Sequence, residues 1–446
     1  MMKLKFGGTI VSIALLSLLL GCKATLSNNG TVTLKGTLKG FSNAIEIEDF
    51  SEFGYILPPS AEKIIVPGKN GKFDIKLRVT SPNYYRLGRN ILYLSPGDSM
   101  TVFINYDDPQ DAVFNGTGAN ANIFLKGTPF PKMGSYLNGN YDVLGKIAHK
   151  ADTIEQLANI RKNKLMTVAG VSAEFKRLET ARIKADVINS LEFITWPANT
   201  DSDRMINDKK YLQSKINKLS AGFIDASLMK LVVYRDIASN LVKKNTIVKP
   251  NDVKPIKDWY TISDLVDSMR QTSDKQQLSL FKNKIAAVKT APYRNAAAGV
   301  LAKLLLFGKG DNATDFEAVG INGKNVKLSS LKGKVIYVDL WATWCGPCMD
   351  EMPSLKTIKE KYRNNPNVAI VSLSIDNEDI GWKKAVQQHG FDGYQWRINR
   401  TKLQAYNVVT IPRMLLIDKK FKIVSMSAPL PSDNSLSNEI DKQLGQ

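Results

Sequence analysis

The chain has 446 residues, with 61 Lys and Arg against 42 Asp and Glu, for a formal net charge of +19. That length argues for about three domains. Three cysteines in the whole chain cannot supply a four-cysteine zinc site, and beyond the N-terminus no run reaches the ~18 apolar residues of a membrane span. The charge is uneven. Positions 126–308 hold 30 basic and 17 acidic residues, whereas 309–446 hold 19 and 15. No nucleic-acid motif accompanies the basic surplus, so it reads as a solvated face, with anionic lipid or an acidic partner as the sharper alternative.

Residues 1–21 read as a signal peptide. A basic Met1-Met2-Lys3-Leu4-Lys5 precedes an apolar run from Ile10 to Leu20 that is too short to span a bilayer comfortably. Leu19-Leu20-Gly21-Cys22 resembles a lipobox, which implies cleavage before Cys22 and lipidation of its thiol, anchoring the chain to a bacterial membrane. The plainer reading is a secretory signal with Cys22 incidental. Residues 23–29 form a polar tether. No acidic cluster follows Cys22, so the expected location is periplasm-facing, on the inner or outer membrane.

Residues 22–124 are strand-like. The runs Thr31–Leu38, Lys63–Val66, Phe73–Val79, Asn90–Leu94 and Ser99–Asn105 are rich in β-branched and aromatic residues, with Gly- and Pro-rich turns between them. That spacing predicts an antiparallel β-sandwich or barrel, the sandwich being the reading adopted. Gly116-Thr117-Gly118 lacks the third glycine and the Lys-Ser/Thr of a phosphate loop and reads as a turn. From 125 to 308 helical periodicity takes over, with helices predicted over Ile154–Leu165, Ala173–Ile194, Ala221–Lys243 and Ala291–Phe307. His149, Trp196 and Trp259 stand alone there and read as packing residues. Asp311–Thr314 reads as a linker.

Residues 309–446 alternate strands and helices, as an α/β domain does. Phe316–Ile321 and Val326–Leu328 flank Asn322-Gly323, a hairpin signal. Val335–Leu340 is a buried-strand run, Cys348–Tyr362 a helix, Val368–Ile375 a second buried strand and Ile380–His389 a second helix. Arg413–Asp418 and Ile423–Ser427 form a final strand pair. Trp344-Cys345-Gly346-Pro347-Cys348 therefore stands on a strand-to-helix turn. There the free N–H groups and the positive end of the helix dipole favour a thiolate, the nucleophile in disulfide exchange. Cys348 lies three residues on and shares a face with Cys345. The inferred roles are attack by Cys345 and resolution by Cys348. A structural disulfide or half a zinc site is the alternative, but no second cysteine pair exists to complete the latter.

The stretch VDLWATWCGPCMDEMP resembles the thioredoxin fold of the TlpA/ResA-like exported thiol–disulfide oxidoreductases. The resemblance covers about 311–446. It implies that Asp339 is a buried carboxylate moving protons to and from the resolving thiol, and that Glu351 is an active-site glutamate. A strand-end polar group and a solvated helix carboxylate are the bland counterparts. Thr410-Ile411-Pro412 matches the family's cis-proline loop, which with Trp344 would receive an extended substrate along the Ile411 backbone. Arg413 departs from the pattern, where a small hydroxyl residue is frequent. Two readings stand for it: a cation beside the site, suited to anionic substrates or the thiolate, or a solvent-facing side chain. Phe421 occupies a turn position usually held by glycine. The strand pattern upstream, with YLSPGDSMTVFI and FNGTGANAN, is similar to the N-terminal domain of lipoprotein members of this family.

The resemblance implies disulfide-bearing protein substrates and an integral-membrane thiol electron donor. It implies no cofactor, metal or nucleic acid. Apocytochromes c, which need reduced thiols before haem attachment, are candidate substrates. A disulfide oxidase or isomerase of the same fold, and a binding lipoprotein with an accessory redox domain, are the competing functions.

Overall fold

The computed structural model describes residues 30–445 apart from 42–43, 58–62, 69, 130–133, 138–142, 195–202, 245–249, 273–274 and 409. The leader, Cys22 and Trp196 lie outside the described residues.

The chain begins with β1 (Thr31–Lys39), β2 (Ile45–Glu46), β3 (Glu48–Asp49), β4 (Ile64–Ile65), β5 (Lys72–Arg78), β6 (Asn83–Leu87), β7 (Asn90–Leu94), β8 (Ser99–Asn105) and β9 (Val113–Thr117). Alternate residues point inward, as the strand period demands: Val32 and Leu34, Phe73 and Leu77, Met100, Val102 and Ile104. The sheets are ordered β5-β1-β8-β9, β3-β6-β7 and β2-β4, and their inward side chains share one core. One pairing departs from the antiparallel expectation. β1 runs parallel to β8, from Thr33 opposite Ser99 to Lys39 opposite Asn105. A parallel pair needs a long connection, and the six strands between them supply it. At Gly118, φ is +94° and a Cβ would meet the Asp98 carboxylate. The glycine pair thus turns β9 into a short helix.

The helices follow as α1 (Ala119–Leu125), α2 (Ile147–Thr167), α3 (Ala173–Phe193), α4 (Asp203–Ser220), α5 (Val232–Lys244), α6 (Pro250–Gln271), α7 (Lys275–Ser279), α8 (Phe281–Ala287) and α9 (Ala291–Leu306). The continuous helix expected over Ala221–Lys243 is broken. Gly222 takes φ +65°, and Asp225 caps a 3-10 turn at Ala226–Lys230 by accepting from the Ser227 N–H. α4 and α6 were not anticipated. α6 carries Pro255 inside it, which reads as a breaker in sequence. His149 is exposed. Trp259 is buried and donates its indole N–H to the Glu52 carbonyl at 2.9 Å.

The C-terminal sheet contains β10 (Glu317–Gly320), β11 (Asn325–Lys327), β12 (Val335–Trp341), β13 (Val368–Ser374), β14 (Tyr394–Arg397), β15 (Arg413–Ile417) and β16 (Ile423–Ser425). Their order is β11-β10-β14-β13-β12-β15-β16. The helices are α10 (Gly346–Tyr362), α11 (Asp379–Gln388) and α12 (Ser435–Leu444). Every residue of β12 and β13 is buried, which explains their unbroken apolar runs. β12 pairs parallel with β13 and antiparallel with β15, so it is central. Gly323 takes φ +78° in the β10–β11 turn and Phe421 takes φ +63°. The presumed linker is not free. Gly310 and Ala313 donate to Ile423 and Phe421, and Ile423 donates back to Asp311, because the edge of β16 has backbone groups to satisfy.

The regions touch one another. Tyr84 donates to Glu179 at 2.6 Å. Arg400 pairs with Glu46 at 3.3 Å, and Asn399 donates to the Ala44 carbonyl. Lys275 pairs with Asp311 at 2.7 Å.

Candidate active site

β12 ends at Trp341, and α10 starts at Gly346. Between them Cys345 is the N-cap residue, and its sulfur accepts the Cys348 N–H at 3.2 Å. An anion at that sulfur gains both a donor and the helix dipole. Pro347 occupies the first turn, where its missing N–H is harmless. The helix begins two residues earlier than its apolar pattern indicates, because Gly346 and Pro347 are helical without being apolar. Cys345 and Cys348 are joined by a disulfide, with Cα atoms 5.2 Å apart. Cys345 is 5% exposed and Cys348 1%. Trp344, at 62%, and the exposed Gly346 and Pro347 surround Cys345. Cys345 is thus the less buried of the pair.

Asp339 projects from the middle of β12, opposite Ser372 of β13 and Met414 of β15. It is 2% exposed, and its Oδ2 has no hydrogen-bond partner among the described residues. Burial pushes its carboxyl up to about 7, Lys359 opposes that shift and Glu351 adds to it. A carboxyl that holds its proton to neutrality can both give and take one there. Lys359 donates to the Asp392 carbonyl at 2.9 Å. Glu351 is partly buried and accepts from the Ser432 N–H at 2.9 Å and the Ser432 hydroxyl at 2.8 Å. Its carboxylate ties α10 to the loop before α12, and its charge helps raise the pKa of Asp339.

The Ile411–Pro412 bond is cis. β15 begins at the next residue, with Arg413 opposite Leu340. The proline loop therefore adjoins the end of β12 from which the cysteines hang. Ile411 is partly buried and Thr410 exposed. Arg413 faces neither solvent nor the cysteines' exposed rim. It is 9% exposed, and its Nη1 donates to Ser427 Oγ at 3.2 Å. Burial, followed by the charge of Arg270, lowers its pKa to about 10, so it stays a cation at neutral pH.

Asp376 escaped sequence reasoning. It is 3% exposed, and its carboxylate accepts the Thr343 N–H at 3.0 Å and the hydroxyls of Thr343 and Ser374 at 2.8 and 2.7 Å. It fixes the loop two residues ahead of Cys345. An acidic residue just past the apolar run of β13 was the available signal.

Residues 308–440 match the Redoxin family model. Over 117 residues the chain is 35% identical to thiol-disulfide oxidoreductase ResA of Bacillus thuringiensis (strain Al Hakam), covering 26% of this chain and 66% of that protein. ResA of Bacillus subtilis (strain 168) is 30% identical over 119 residues, with the same coverage. A solved structure of a candidate thiol-disulfide oxidoreductase from Bacteroides vulgatus is 36% identical, covering 30% of this chain and 95% of that one at a TM-score of 0.29. The C-terminal domain is thus a Redoxin domain similar to the TlpA/ResA-like thioredoxin-fold proteins. It spans just under two thirds of the ResA relatives' length.

Proposed function

We propose that the protein is a lipid-anchored, periplasm-facing oxidoreductase that reduces disulfides in other proteins. The observation that carries this is the Cys345–Cys348 pair at the start of α10, beside the cis-Pro412 loop. In the reduced enzyme the Cys345 thiolate attacks one sulfur of a substrate disulfide. The substrate S–S bond breaks, and the departing thiolate takes a proton. Cys348, its proton passed toward Asp339, then attacks Cys345 Sγ and expels the second substrate thiolate. Two electrons leave the enzyme dithiol, and the Cys345–Cys348 disulfide remains. Trp344 and the Ile411 backbone hold the substrate across the pair.

The lipobox-like Leu19–Cys22 supports the anchor, and an exported dithiol needs a membrane thiol donor to re-reduce it. Apocytochrome c is one substrate that fits. The divisions at 22–124, 125–308 and 309–446, with a sandwich-like first unit, are part of this reading, supported by the shared core of the N-terminal sheets.

The test is reduction of insulin disulfides by the full chain in detergent with dithiothreitol as reductant. Turnover well above the dithiothreitol background is expected. A rate equal to background, with intact circular dichroism, overturns the proposal.

A further inference from the structure

Two serines interrupt the apolar run of β13, and hydrogen bonding accounts for one of them. Ser374 donates to Asp376 at 2.7 Å. Ser372 is buried, and its Oγ has no hydrogen-bond partner among the described residues. A hydroxyl left alone in a dry strand is costly. Strand register fixes what lies beside it. β12 and β13 run parallel, with Asp339 opposite Ser372. In-register residues of neighbouring strands project from one face of the sheet, and such strands lie ~4.8 Å apart. The two side chains are therefore neighbours, and Asp339 Oδ2 is unpartnered as well. A turn about χ1 is all a serine needs to aim its hydroxyl at the next strand.

The other groups around Asp339 are committed. Tyr337, two residues back on the same face of β12, donates to the Pro429 carbonyl at 2.8 Å. Lys359 of α10 donates to the Asp392 carbonyl at 2.9 Å. Glu351 of α10 is a carboxylate that accepts from Ser432. Met414, opposite on β15, is uncharged. The Trp341 indole N–H is unpartnered, but that residue stands opposite Ser374 and its ring packs edge-on against Phe391 at 5.6 Å.

We propose that Ser372 is a positioning residue for the resolving step, its hydroxyl donating to the Asp339 carboxylate as that group takes the proton of Cys348. This rests on the oxidoreductase reading and deepens it. In the step the Cys348 S–H bond breaks and an O–H bond forms on Asp339, with no oxidation. A hydroxyl both donates and accepts, so Ser372 donates to the carboxylate beforehand and accepts from the carboxyl afterwards. Without that donor the buried anion is disfavoured and the carboxyl holds its proton to higher pH.

The experiment uses the full chain in detergent as wild type, Ser372→Ala and Ser372→Thr. Difference infrared titration of the oxidised chain follows the Asp339 carboxyl, its band assigned by loss in Asp339→Asn. The Asp339 pKa is expected to rise by about one pH unit in Ser372→Ala and to keep its wild-type value in Ser372→Thr, which retains the hydroxyl. Stopped-flow release of substrate from the mixed disulfide should slow about fivefold at pH 7 in Ser372→Ala and match the wild type at pH 9, where the carboxylate is formed in both. Threonine should restore the wild-type profile. A step slowed equally at both pH values, a failure of threonine to rescue, or an unmoved Asp339 pKa in Ser372→Ala overturns the proposal. A rescued titration shift beside a resolving step that ignores pH overturns the catalytic part and leaves the hydrogen bond. If no mixed disulfide forms, the oxidoreductase reading falls and the role of Ser372 with it.

Discussion

The turn from β12 into α10 carries its chemistry in neighbouring residues, whereas the meeting of α6 with the cis-proline loop gathers its charges from across the chain. In the first, Cys345, its N–H donor and its disulfide partner lie within four positions. In the second, Arg270 bonds a carbonyl 215 residues away and acts on Arg413 in a third region. The difference shows that reactivity can be written locally, because a helix end supplies its own field. Burying a cation instead needs walls brought from elsewhere.

Removing the local chemistry should have the largest effect. Cys345→Ser is expected to lower insulin reduction by at least about a thousandfold, as loss of a covalent nucleophile does. Cys348→Ser should instead accumulate mixed disulfides visible on non-reducing gels. Efficient turnover by Cys345→Ser would show that the helix-end thiol is not the nucleophile.

Asp339 tests how far the tertiary setting tunes that local site. Asp339→Asn should slow the resolving step by about a hundredfold and flatten its pH dependence near 7 in stopped-flow assays. Stability should change too. Burial raises the folded-state carboxyl from 3.8 to about 7, so the folded chain holds a proton that the unfolded chain releases. The stability this confers is complete below about pH 4 and is lost as pH rises through about 7. Asp339→Asn, which cannot ionise, should be more stable than the wild type above pH 7 by ~2–4 kcal/mol. The gap should close near pH 4 in urea titrations. A pH-independent difference would place the carboxyl in an ordinary environment.

Asp376 sharpens the comparison, because it is a long-range support for the local motif. Asp376→Ala leaves Thr343 and Ser374 without their acceptor and should cost ~1–3 kcal/mol by chemical denaturation, with a smaller loss of activity than Asp339→Asn. Ser432→Ala removes the hydroxyl bond to Glu351 and keeps the backbone N–H one, at an exposed site. It should cost no more than about 1 kcal/mol and leave Cys345 alkylation unchanged. Altered alkylation would tie Glu351 more closely to the thiol.

The legible elements were those whose pattern is self-sufficient. β12, β13 and α10 appear as apolar runs, and the Asn322-Gly323 turn and the cysteine pair announce themselves by type and spacing. The strands of the N-terminal region were found, yet the parallel pairing of β1 with β8 was not, since nothing in either strand specifies its neighbour's direction. α6 was hidden by Pro255, and the Ala221–Lys243 periodicity ran through a break imposed by Gly222 and the Asp225 cap. Arg413 was left between two readings because one residue's sequence neighbours do not reveal whether another domain will cover it.

By itself the sequence determined the cysteine pair, the strand-to-helix turn that holds it and the alternation of strands and helices around it, because these follow from residue type, spacing and local backbone preference. Only the tertiary structure decided that Asp339 has an unbonded oxygen in a dry interior, that Asp376 clamps the loop before Cys345 and that Arg413 is buried. Each of those depends on which distant atoms exclude water or supply charge, and burial and field strength are properties of the packed chain.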